Sequence, residues 1–168
     1  MKLILRPKPT SVYSEVEVAT PEGALLYSSD TEPLSAPRKS YFKDANDEIL
    51  ATITTVRMDD KNRAHHVVTS DGRVFDLVRK FRNPASTTES YIKVGSTGWQ
   101  AITRRAWTSR FEIRSSSGDV LLQARQVAGE RGDTYELDVK DEAHVDGLVL
   151  LALITRYVMH KDVPVSEG

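Results

Sequence analysis

The sequence lacks cysteine altogether and has no Asn-x-Ser/Thr sequon, so disulfides, thiolate metal sites and cysteine nucleophiles are excluded. No secretory leader is expected. The apolar run before Arg6 and Pro7, Leu3-Ile-Leu5, is only three residues long, where an exported chain needs about seven or more, and cytoplasmic residence is expected. There is no Walker loop, no dinucleotide fingerprint and no Gly-x-Ser-x-Gly elbow. The histidines form no metal set: His65 and His66 are neighbours on one predicted strand and so face opposite ways, while His144 and His160 lie far apart. Asp138, Asp141, Glu142 and Asp146 offer carboxylates for calcium, but no EF-hand loop accompanies them and helix capping accounts for Asp141 and Glu142. Arg131-Gly-Asp133 reads as a turn. A non-enzymatic chain without metal or cofactor is therefore expected. With a net charge of -1 it has no general attraction to nucleic acid.

What is present is organised by one apolar run near the C-terminus. Residues 148–154 include no polar side chain, so no face of a helix there could rest in water. The run is shorter than the ~20 apolar residues a membrane span needs, and Asp146 and Arg156 interrupt its ends, so a buried helix over 141–160 is predicted. Asp141 can cap it, Glu142 and Asp146 suit its first turns, and Arg156, His160 and Lys161 suit the last. Pro164 stops it, leaving 161–168 as a short tail. Gly147 suggests close approach of a neighbouring backbone.

Before this helix the chain reads as strands, at 3–6, 12–18, 24–28, 39–43, 49–57, 65–69, 74–81, 91–94, 99–104, 110–115, 120–127 and 135–139. Tyr135, Leu137 and Val139 alternate with Glu136 and Asp138, as a half-buried strand requires. A strand, a turn of Asp, Asn, Ser or Gly, and a return strand recur at 41–50, 67–75 and 111–120, with Asp71-Gly72 the strongest hairpin signal. No linker divides the 168 residues, so one domain is expected. About a dozen antiparallel strands and one wholly apolar helix are predicted to form a closed β-barrel, mostly β in class (α+β), with the helix as its central core.

Charge is unevenly distributed. Residues 57–114 hold twelve Lys or Arg against six acids, so the middle is about +6 and the remainder about -7.

Three stretches give the chain a family likeness. Asp133-Thr-Tyr-Glu-Leu-Asp-Val139, running through Val145-Asp-Gly-Leu-Val-Leu-Leu-Ala-Leu153, resembles the last strand and central helix of LURP-one-related proteins. The segment from Asp71 to Arg82, followed by Tyr91-Ile-Lys-Val94, is similar to the tubby hairpin that ends in a basic cluster. Gly98 to Arg105, then Phe111-Glu-Ile-Arg114, resembles the tubby stretch with an arginine before the next strand. The chain thus resembles the tubby C-terminal-like superfamily, which includes tubby domains, LURP-one-related proteins and phospholipid scramblases.

In tubby domains such stretches bind a phosphoinositide headgroup. The resemblance implies Lys80 and Arg82, with Arg79 beside them, and Arg104 or Arg105 as headgroup-binding residues. The lysines that continue the tubby cluster are replaced here by Asn83-Pro-Ala-Ser-Thr-Thr88. If Phe75, Leu77 and Phe81 face the core, Lys80 and Arg82 point outward about 7 Å apart, and Arg79 points inward or sits at the strand end. A solvated strand face explains the same charges. Trp99 and Trp107 flank Arg104 and Arg105, a pattern that suits a membrane interface, single-stranded nucleic acid or ordinary core packing. The leading expectation is non-catalytic, peripheral binding of anionic phospholipid headgroups. The alternatives are a LURP-one-type adaptor for a protein partner and a scramblase-like lipid-handling role.

Overall fold

The computed structural model describes residues 1–9, 15–57, 63–81, 89–94, 97–104, 110–127 and 134–161, with residues 57, 63, 78–81, 89–94, 104, 160 and 161 described by their backbone alone. Its strands are β1 (Lys2–Pro7), β2 (Val16–Ala19), β3 (Leu25–Thr31), β4 (Arg38–Asp44), β5 (Ile49–Arg57) and β6 (Arg63–Thr69). They continue with β7 (Val74–Phe81), β8 (Glu89–Val94), β9 (Gln100–Arg104), β10 (Arg110–Arg114), β11 (Val120–Gln126) and β12 (Tyr135–Val139). A 3-10 turn (Glu142–His144) then leads into a single helix, α1 (Val145–Lys161). Each strand pairs antiparallel with its sequence neighbours, and β1 pairs with both β12 and β2, which closes the sheet. The expected mostly β chain with one C-terminal helix is thus found.

Alternation decides what lies inside. Leu3 and Leu5, Val16 and Val18, Phe111 and Ile113, and Tyr135, Leu137 and Val139 are all buried. Inside them α1 is buried on every side, because each residue from Leu148 to Arg156 is at most 7% exposed. A helix buried through more than two full turns has no solvent face, as its all-apolar sequence requires.

Four hairpins share one geometry. At Thr20, Asp44, Thr69 and Ser115 the backbone N–H donates to the carbonyl four residues on, and the N–H three residues on donates back. The fourth residue takes a positive φ each time: 98° at Gly23, 65° at Asp47, 87° at Gly72 and 92° at Gly118. The first residue's side-chain oxygen also accepts from the backbone N–H of the fifth, at 3.0–3.2 Å. A type I turn closed by a left-handed residue is a standard tight hairpin. All four lie at the end of the barrel where α1 begins. The longer connections lie at the opposite end, where α1 finishes.

The predicted helix boundary needs correction. The α-helix starts at Val145, and Asp141 makes no side-chain capping bond. Its Oδ2 instead lies 2.8 Å from His144 Nδ1, so the first turn tightens to 3-10 form. Gly147 meets a side chain and not a neighbouring backbone: a Cβ there would sit 3.3 Å from Cζ3 of Trp99. Arg156, placed by the sequence in the last turns of the helix, is only 3% exposed. Strand β3 runs past the predicted 24–28 because Ser29 and Thr31 face inward although polar. Most of the predicted start of strand 12–18, Pro164 and the tail after 161 lie outside the described residues.

Candidate functional site

Strands β7 and β9 both run toward the long-connection end, so the cationic residues near their C-termini arrive there together. Lys80 pairs with Tyr91 and Arg104 pairs with Glu89. The two positions are therefore separated by one strand and a two-residue offset, about 12 Å. Arg79 pairs with Ile92, which pairs with Ala101, itself opposite Ile113. Ala101 and Ile113 are fully buried, so position 79 belongs to a core row and is not part of the same outer face as position 80. Arg82, Arg105 and Trp107 lie outside the described residues.

The register exposes a feature that the sequence reading missed. Arg110 and Arg125 stand directly opposite one another on β10 and β11, both exposed. Like charges in that position repel, at a cost of a few tenths of a kcal/mol or more. Continuing the β9–β10 register places Arg104 level with Arg110, so three arginine positions follow one another across three strands. Glu136, opposite Arg125 on β12, ends the row, and its carboxylate is 3.4 Å from Lys2 Nζ. Across the same rim, Leu34 in the β3–β4 connection is 93% exposed with φ of 58°, a conformation bulky residues seldom adopt.

Beneath this rim the barrel interior turns polar on one side. Ser29, Thr31, Ser40, Thr55 and His65 are all buried on β3–β6. Ser29 Oγ accepts from the Val16 N–H at 3.0 Å, the Thr31 and Ser40 hydroxyls are 3.1 Å apart, and Thr55 Oγ1 lies 3.0 Å from His65 Nδ1. The Arg38 guanidinium lies 4.5 Å from the centre of the Tyr157 ring. Burial pulls Arg38 below its ordinary pKa, while Tyr157 and Glu15 act in the opposite sense. Half-buried Arg38 and buried Arg156 thus lie beneath the end that carries the arginine row.

Other expected groups fall elsewhere. Trp99 packs on the start of α1, edge-on to His144 at 5.8 Å between centroids, and so follows the core-packing reading. Three of the four acidic residues near the helix have separate partners. Asp138 bonds Lys140 at 2.6 Å, Asp141 lies against His144, and Asp146 accepts from the Tyr27 hydroxyl. Burial, then that bond to Asp146, holds the Tyr27 phenol well above its ordinary pKa. His66 is exposed beside Asp76 at 2.7 Å while His65 is buried, as their adjacency on a strand required. No helix among the described residues is long and apolar enough to cross a membrane.

No curated protein and no solved structure matches this chain. A family model does: that of LURP-one-related proteins, over residues 1–157. That span takes in all twelve strands and most of α1, so the match covers the barrel and its filling together. The chain belongs to the LURP-one-related family, within the tubby-like superfamily.

Proposed function

We propose that this domain is a non-catalytic, peripheral binder of anionic, phosphoinositide-containing membrane surfaces that works from the long-connection end of its barrel. The observation that carries this reading is the opposed pair Arg110 and Arg125, level with position 104. Two exposed arginines face to face concentrate positive charge at one point of the rim, and an anionic surface attracts both. Guanidinium groups suit phosphate because each can donate two parallel hydrogen bonds. Exposed Leu34 on the same rim suits shallow contact with the headgroup layer.

Co-sedimentation with vesicles is the test. Binding to phosphoinositide vesicles, absent with neutral vesicles and retained at physiological salt, is expected. Binding that disappears at physiological salt would reduce the site to diffuse attraction. Absence of binding at any salt would overturn the reading and favour the adaptor role, for which a protein partner would be sought.

A further inference from the structure

At the opposite end, between α1 and strands β4–β7, lies a cavity of about 350 Å3. This is within the size range of small-molecule sites, about 300–1,000 Å3, whereas close-packed interiors leave few voids larger than a water molecule. Its origin is legible in one helix face. Ala143, Gly147, Leu150, Leu151 and Ile154 follow one another at helical spacing along the cavity, where Ala143 adds only a methyl group and Gly147 makes room for the Trp99 ring that forms part of the wall. Aromatic and aliphatic side chains form the inner wall, among them Phe42, Phe75 and Leu77.

The rim is charged and its charges are mostly settled. Arg73 Nε donates to both oxygens of Asp71, at 3.1 and 3.0 Å, so that pair is neutral overall. His144 lies against Asp141. Asp146 differs: it lines the cavity, and its hydrogen-bond partner there is the uncharged hydroxyl of Tyr27, with no cationic side chain paired to it among the described residues. Its place in the first turn of α1 favours a negative charge, and the nearby turns add Asp44, Glu48 and Asp119, while Asp47 is paired with Lys43 at 3.5 Å. An anionic ligand would meet an unfavourable field here, and a cationic one a favourable field.

We propose that this cavity binds a small cationic amphiphile, an apolar body of about ten carbon atoms bearing one amine, with the body against Phe42, Phe75 and Leu77 and the amine at Asp146. It lies at the far end of the barrel from the arginine row, so either site can fail without the other.

The test is calorimetric titration of the full chain with decylamine, decanol and decanoate, each below its micelle concentration. Decylamine should bind one site at least ~10-fold more tightly than decanoate. Asp146→Asn should bring the two within about twofold while leaving decanol unchanged, because only the charge contact is lost. Ala143→Trp places a large ring at an exposed position of the mouth and should abolish binding of all three probes without shifting Tm appreciably. As a readout that needs no variant of the cavity wall, Trp99 fluorescence in a Trp107→Phe background should change with decylamine and saturate. The proposal is overturned if folded protein shows no saturable binding, if all three probes bind alike, or if Ala143→Trp leaves them unaffected.

Discussion

The two ends of this barrel differ in chemistry and in how their strands are joined. Where α1 enters, four hairpins of a single geometry join the strands, acidic residues gather in the turns, and a cavity opens beside the helix. Where α1 leaves, the connections are longer, arginines line up across β9–β11 and the interior beneath them is polar. The helix runs from the acidic end to the basic one, the direction its own dipole favours. The difference separates the tightly turned end from the end proposed to bind. Tight turns fix the register of every strand pair they join, and the exposed cationic groups are then presented by strands already held in place.

The largest effect should come from breaking the link between the ends, the helix itself. Leu148→Asp places an unpaired charge at a fully buried position and should cost about 5 kcal/mol, enough to unfold a typical domain, as circular dichroism would show. Leu150→Asp, on the face that lines the cavity, should cost visibly less because water can reach it there. Equal losses at both positions would mean that the cavity is not wet.

Next comes the basic end. Arg110→Gln combined with Arg125→Gln removes two charges worth about 1 kcal/mol each near an anionic surface, so vesicle affinity should fall about 30-fold at low salt. Thermal stability should change by less than about 1 kcal/mol, since both side chains are exposed and their mutual repulsion is relieved.

The turn end should answer to backbone changes. Gly72→Ala meets no neighbour within 4 Å, so only the positive φ opposes it, at about 1 kcal/mol in denaturant unfolding. Asp47 occupies the equivalent place with φ of 65°, and Asp47→Gly should stabilise by a few tenths of a kcal/mol.

The smallest effect is a pH dependence. Hydrogen bonds from Lys43 and Lys8 hold Asp30 below its ordinary pKa. A depressed carboxylate contributes stability above its unfolded pKa of about 3.9 and loses it as pH falls through the folded value. Asp30→Asn should therefore cost about 0.5 kcal/mol near pH 7, a figure reduced for partial exposure, and nothing in strong acid. A loss that persisted in acid would mean that packing, not charge, was removed.

Much of the fold was legible because its signals are local. An apolar run from 148 to 154 specifies a buried helix, and Asp71-Gly72 specifies a hairpin without reference to anything distant. The site was less legible because it depends on register. Arg110 and Arg125 are fifteen residues apart in sequence, and only the turn at 115–119, with its bulge between Ile113 and Arg114, sets them opposite each other. Arg79 shows the converse, since it sits in a cationic cluster in sequence but in a core row in the sheet. The polar interior was missed because Ser29, Thr31 and His65 look like surface residues until their strands are placed. The cavity depends on how Ala143, Gly147 and Trp99 come together at the start of α1, and only the glycine left a trace in the sequence.

The most direct test of the division between the ends compares two double reversals of equal charge on phosphoinositide vesicles at physiological salt. One is Arg110→Glu with Arg125→Glu; the other is Arg73→Glu with Lys140→Glu at the turn end. Co-sedimentation should be lost in the first and retained in the second. Equal loss in both would contradict a localised basic site and leave only net charge, and full retention in the first would place binding, if any, elsewhere on the barrel.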